Sequence, residues 1–141
     1  MCTRRQRLGG AAIEFALWLP VIMTMISGII DVSWMMSRYH QVVRAARDGA
    51  RVGVAIIEDD DTTYGAEIKA AAEDHAEALM DGVGLECSTN PNCDVVADIV
   101  TEDGLDYLEV SVTYRYEPMM GILPLRTDLN SAFTMMLQQQ D

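Results

Sequence analysis

Residues 11–30 carry one charge, Glu14, and one helix breaker, Pro20; nearly every other position is Ala, Leu, Ile, Val, Met, Trp or Phe. A bilayer core needs roughly 20 such residues as a helix, and this run supplies them. Arg4, Arg5 and Arg7 precede it and Asp31 closes it. By the charge-bias rule the N-terminus stays in the cytoplasm and everything after Asp31 is exported. A secretory signal peptide is the rival reading. Its apolar core is shorter and ends at a small-residue cleavage site, whereas this run flows into further helix. Pro20 removes one backbone hydrogen bond and predicts a kink, read either as tolerated or as a hinge.

Glu14 is the costly residue. A carboxylate near the start of a membrane helix costs on the order of 2–3 kcal/mol on the insertion scale. Near the headgroups it reaches water and needs no role. In this chain it stands five residues after Gly9, behind a short basic leader, in Gly9-Gly10-x-x-x-Glu14-Phe15. That pattern resembles the processing site of type IV prepilins, cut between Gly9 and Gly10. A fuller resemblance is to TadE-like proteins, the pseudopilins of the tight-adherence (Tad, or Flp) pilus system. It is carried by Gly10-Ala11-Ala12-Ile13-Glu14-Phe15-Ala16-Leu17-Trp18-Leu19-Pro20, by Gly28-Ile29-Ile30-Asp31 and by Ala45-Ala46-Arg47-Asp48-Gly49-Ala50-Arg51. These cover the first third of the chain.

The resemblance implies cleavage by a membrane prepilin peptidase, which frees an amino group at Gly10. It implies that Glu14 meets the N-terminus of a neighbouring subunit during assembly. Opposite charges attract strongly in low dielectric, so the pair would select subunit register. Phe15 departs from the tyrosine usual in major Tad pilins, and the chain is far longer than those. Both favour a minor or accessory subunit.

The formal net charge is −12, and losing the three leader arginines takes it to −15. So acidic a surface repels phosphate and argues against nucleic acid. About 85 residues follow the long helix, near the size at which a single core is marginal without a staple or partner. Cys2 lies in the leader. Cys87 and Cys93 lie in the exported part, where disulfides persist. The turn-rich loop between them reads as bridged, because a metal pair lacks two further ligands and a redox pair usually spaces its cysteines by two residues.

The membrane helix is expected to continue to about residue 56. Met35, Tyr39, Val42, Ala46, Gly49 and Gly53 recur at spacings of three and four on one face. If continuous from Gly10, the helix is about 70 Å long. Ala45, Ala46, Gly49, Ala50 and Gly53 form a small-residue ridge that packs either on the chain's own domain or on a sister helix. Glu58-Asp59-Asp60-Asp61 reads as a solvated loop, since the ladder of a calcium loop is missing.

Thr62 or Thr63 caps a second helix. Its apolar stripe is Ile68, Ala72, Ala76, Leu79 and Val83; Glu67, Lys69, Glu73, Asp74, Glu77 and Asp81 face water, and Gly82 and Gly84 end it. His75 reads as a boundary residue. Residues 94–101 and 105–117 flank the Asp103-Gly104 turn of a hairpin. Pairing Glu102 with Leu105 puts Ile99/Leu108, Ala97/Val110, Val95/Val112 and Cys93/Tyr114 on one face. It also sets Asp98 against Glu109, an unfavourable pair unless exposed or unless the turn is one residue longer. Pro118 and Pro124 bracket Met119-Met120-Gly121-Ile122-Leu123, read as cover for the core, with membrane or partner contact as the alternative. Leu129, Ser131, Phe133, Met135 and Leu137 alternate with polar and small residues as a third strand, before a frayed tail at 138–141.

The expectation is an α+β chain: leader 1–9, transmembrane helix 10–30, its continuation 31–57, and an exported pilin-like domain 58–141 with one helix and a three-stranded antiparallel sheet. No catalytic constellation emerges. His40 and His75 lie on different helices, and no nucleophile elbow or phosphate loop is present. No cofactor or metal is implied. The resemblance implies a single-pass inner-membrane pseudopilin serving assembly of the Tad pilus. Its partners would be membrane lipid, the prepilin peptidase, other Tad pilins and pseudopilins, and inner-membrane assembly-platform proteins. The alternatives are an uncleaved anchored protein that binds a partner or the cell wall, and a minor pseudopilin of a type II secretion system.

Overall fold

The computed structural model describes residues 5–56, 64–120 and 127–137. The first four residues of the expected leader, residue 57 at the end of the expected continuation, the acidic run 58–61, Thr62 and Thr63, residues 121–126 with Pro124, and the tail 138–141 lie outside the described residues. The architecture is α+β. Helix α1 is Arg5–Val54 and helix α2 is Tyr64–Gly82; strands β1 (Cys93–Glu102), β2 (Leu105–Arg115) and β3 (Asp128–Met136) follow. Helix α1 starts at Arg5 rather than near Gly10, so the described part of the expected leader is helical.

The chain divides into two compact units. One contains α1 up to residue 35 together with the segment Glu117–Leu125; the other contains the rest of α1, α2 and the sheet. In the first unit α1 is continuous through Pro20. Pro20 offers no N–H to the carbonyl of Ala16, so one helical bond is missing. Thr24 Oγ1 donates to the Pro20 carbonyl at 2.8 Å, a back-bond of the kind that bends helices slightly.

The second unit is built on a meander with strand order β1-β2-β3, antiparallel throughout. The hairpin register is Glu102 with Leu105 outward to Cys93 with Tyr114, in agreement with the sequence reading. Asp103 (φ 54°) and Gly104 (φ 79°) both take positive φ, the signature of a type I′ turn. The turn is therefore not longer by a residue, and Asp98 does face Glu109. The conflict is relieved across the sheet edge, where Lys69 Nζ donates to Asp98 Oδ1 at 2.6 Å. Hydrogen bonding and ion pairing to Lys69 hold the Asp98 carboxyl below its ordinary 3.8.

One face of the sheet is buried. Ala97, Leu108 and Val110 join Ala50, Ile68, Ala72 and Leu137 in the core, with Ile99, Phe133 and Met135 packed against it. Residues 130, 132, 134 and 136 of β3 are exposed, so the expected alternation holds.

The buried stripe of α2 differs from the expected one. Ile68, Ala72, Ala76 and Met80 are buried, a strict spacing of four, while Leu79 is half-buried and Val83 is 43% exposed. Val83 falls beyond the helix because the chain turns there. Gly84 takes φ 75°, its N–H donates to the Asp81 carbonyl at 2.9 Å, and the Leu85 N–H donates to the Met80 carbonyl at 3.1 Å. That is a Schellman closure, with Leu85 and Met80 buried as its apolar contact. Lys69, Glu73, Glu77 and Asp81 are half-buried rather than wholly in water. Glu73 Oε1 accepts the Ala97 N–H at 2.8 Å, which satisfies an edge donor of β1 that would otherwise invite another strand.

Cys87 and Cys93 form a disulfide, Cα to Cα 5.0 Å. Its loop is ordered from both ends. Ser88 donates through its N–H and Oγ to the two carboxylate oxygens of Asp81, at 3.2 and 2.6 Å, which holds that carboxyl below its ordinary 3.8. Asn90 Oδ1 accepts the Asn92 N–H at 3.0 Å, an Asx turn.

Candidate assembly site on the N-terminal helix

The chemistry that the N-terminal motif suggests has to be presented at a surface. In α1 it is. Glu14, Phe15 and Pro20 are exposed, as are Ile13, Leu17 and Trp18 around them. Gly10 has open space where a Cβ would stand. Helix residues 10–26 are exposed without a break, so a long apolar cylinder with one carboxylate is offered to its surroundings. Length and composition qualify this helix to cross a membrane, and little of the qualifying window is buried within the chain. A long apolar N-terminal helix of this kind is consistent with a single-pass anchor.

Further along the same segment, Thr24, Met25, Gly28, Ile29, Val32 and Ser33 line an open, apolar groove of about 480 Å³. Thr24 and Gly28 are four residues apart on one helix face, small enough to let a second backbone come close. Ser33 Oγ donates to the Ile29 carbonyl at 2.7 Å, which satisfies the hydroxyl inside its own helix.

The small-residue ridge is placed elsewhere. Ala45, Ala46, Gly49, Ala50 and Gly53 are all buried inside the second unit. A Cβ on Gly49 would lie 2.8 Å from the Ala72 carbonyl and 3.0 Å from Ala76 Cβ; one on Gly53 would lie 2.6 Å from Leu108 Cδ2. The ridge is therefore filled by α2 and β2 of the same chain. Tyr39, expected on this face, is exposed instead. Three arginines of this part of α1 have partners within the chain. Arg44 pairs with Asp48 at 3.5 Å, Arg38 donates to Gln41 and to the Val83 carbonyl at 3.2 Å each, and Arg47 lies 5.2 Å from the Phe133 ring centre.

This architecture places a particular pattern on a particular helix. Residues 9–51 match the family model for TadE-like protein. The TadE-like segment thus runs from the glycine before Gly10 to Arg51, covering the exposed apolar helix and the ridge that docks on α2. The sheet and α2 lie beyond it. No curated protein and no solved structure matches this chain.

Asp31 was not legible in advance. The sequence marks it as the end of the apolar run and as part of the Gly28–Asp31 stretch of the resemblance, with no sign of burial, yet it is fully buried, with Oδ1 accepting the Met120 N–H at 3.1 Å. Both residues belong to the first unit. The Met119-Met120 stretch does not cover the core as expected: Met119 is 67% and Met120 55% exposed. A one-residue polar signal inside a hydrophobic pattern gives no clue to a partner 89 positions away. Among the described residues, no group of three His, Cys, Asp or Glu side chains is gathered to hold a metal.

Proposed function

We propose that this chain is a minor pilin or pseudopilin of a Tad pilus. It is made as a single-pass membrane precursor, cut between Gly9 and Gly10 by a prepilin peptidase, and engaged through α1 by other pilins. Its orientation is N-terminus cytoplasmic, with the α+β unit outside the inner membrane. One observation carries the reading: the TadE-like match takes in helix residues 10–26, which are exposed without a break and carry one carboxylate, Glu14. A carboxylate held in hydrocarbon is costly unless paired. The freed amino group of Gly10 on a neighbouring copy supplies the opposite charge, and the groove at Gly28 supplies a surface for close helix approach. The role is mechanical rather than catalytic. The second unit makes lateral contacts through an acidic surface.

Intact-mass measurement of protein extracted from native membranes tests this. A mature chain beginning at Gly10 is expected. A chain retaining residues 1–9 would instead support an uncleaved anchored binding protein.

A further inference from the structure

The membrane anchor accounts for residues 10–30 and leaves the burial of Asp31, and the segment after Pro118, unexplained. Asp31 is fully buried, and burying a carboxylate is expensive unless it is hydrogen-bonded. Its Oδ1 takes the backbone N–H of Met120 at 3.1 Å. A backbone donor fixes the chain itself rather than one side chain, so this bond ties the 117–120 stretch to α1 at a set height.

That height is informative. Residues 10–30 rise about 32 Å at 1.5 Å per residue, close to the thickness of a hydrocarbon core. Asp31 then falls where acyl chains give way to headgroups. The stretch tied to it exposes Met119 (67%) and Met120 (55%), and Trp34, one turn further along α1, is 43% exposed. Tryptophan concentrates at this depth in membranes. Methionine is flexible and polarizable, suited to a fluid apolar surface rather than to a shaped pocket.

We propose that Met119 and Met120 form a membrane-interface foot, held at headgroup depth by the Asp31 hydrogen bond and occupied by lipid. This rests on the membrane-anchor reading. The lipid assignment follows from continuity: the foot is pinned to the end of the apolar helix that the membrane-anchor reading sets across the bilayer.

The test uses the full chain with Cys2→Ser, its Cys87–Cys93 bridge kept oxidised, in vesicles of phosphatidylcholine and phosphatidylglycerol. Single spin labels are placed at Leu17→Cys, Met119→Cys and Thr113→Cys, the last at an exposed position of β2. Power saturation then reads the ratio of oxygen to nickel-chelate collisions. Leu17 and Met119 are expected to give ratios several-fold above Thr113. A lipid-exposed Leu17 with Met119 as aqueous as Thr113 overturns the foot and leaves the anchor standing. An aqueous Leu17 overturns the anchor and the foot with it. A Met119 label shielded from both reagents means that protein covers it, and overturns the lipid assignment. Adding Asp31→Ala is expected to return Met119 to the aqueous ratio with Leu17 unchanged, while Asp31→Asn, which keeps an acceptor oxygen, retains the lipid ratio. A Met119 that stays in lipid without an acceptor at position 31 removes Asp31 from the proposal.

Discussion

Gly49 is tightly constrained, because what stands opposite it is backbone. A Cβ there would approach the Ala72 carbonyl to 2.8 Å, and a carbonyl in α2 cannot swing aside. Gly49→Ala is expected to destabilise by about 1–3 kcal/mol through overpacking, despite the roughly 1 kcal/mol of helix propensity it gains. Gly82 is the control. It ends α2 with open space around it, so Gly82→Ala is expected to stabilise by up to about 1 kcal/mol. Urea unfolding of both variants reads the contrast, and equal effects would mean that the two glycines are not sterically distinct. At Glu14 the proposed constraint lies between molecules. Glu14→Ala removes a carboxylate that touches water or a neighbour, not the core. It is expected to leave membrane insertion intact while abolishing pilus assembly, scored by membrane fractionation and by counting pili. Normal piliation would discredit the charge pairing.

The hairpin was readable because two local rules agree. Asp-Gly fixes the turn and the alternation fixes the face, leaving one register. The sequence could not show how Asp98 survives opposite Glu109, since Lys69 comes from another element 29 positions away. The same holds for Glu73 on Ala97 and for Asp81 on Ser88. Two of these carboxyls, Asp98 and Asp81, are held below 3.8 in the folded chain. A lowered folded value means that the charged form is favoured by folding. The stability so contributed is complete above the unfolded value and is lost as pH falls through the folded one. Melting temperature is therefore expected to be flat down to about pH 5 and to fall below about pH 4. Lys69→Met is expected to make the fall shallower, modestly, because the pair is solvent-screened. The disulfide acts on the same corner. With its cysteines six positions apart it closes a short loop, and replacing both by alanine is expected to cost about 2.4 kcal/mol on the chain-entropy model. Calorimetry of the double variant measures it, and an unchanged melting temperature would mean that Asp81, Ser88 and the Asx turn suffice.

At the scale of the molecule, sequence pattern recovered the elements but not which of them share a unit. Periodicity shows that a helix has an apolar face; it does not say whether the neighbour is the same chain or another copy. Residues 10–30 and the ridge at 45–53 are both rich in small and apolar residues, yet the ridge is filled internally while the first segment is left open. Among the described residues, the buried apolar side chains, from Val42 to Leu137, all fall within the second unit. A chain starting at residue 36 keeps every one of them, along with the disulfide and the ion pairs. It loses Arg4, Arg5, Arg7, Glu14 and Asp31, which moves the net charge from −12 to −13 and keeps it soluble by self-repulsion. This fragment is expected to be a detergent-free monomer with cooperative, two-state unfolding, read by size exclusion and by circular dichroism. The full chain is expected to need detergent. If the fragment were molten or aggregated, residues 1–35 would be part of the fold's own support rather than an appendage for membrane and partners.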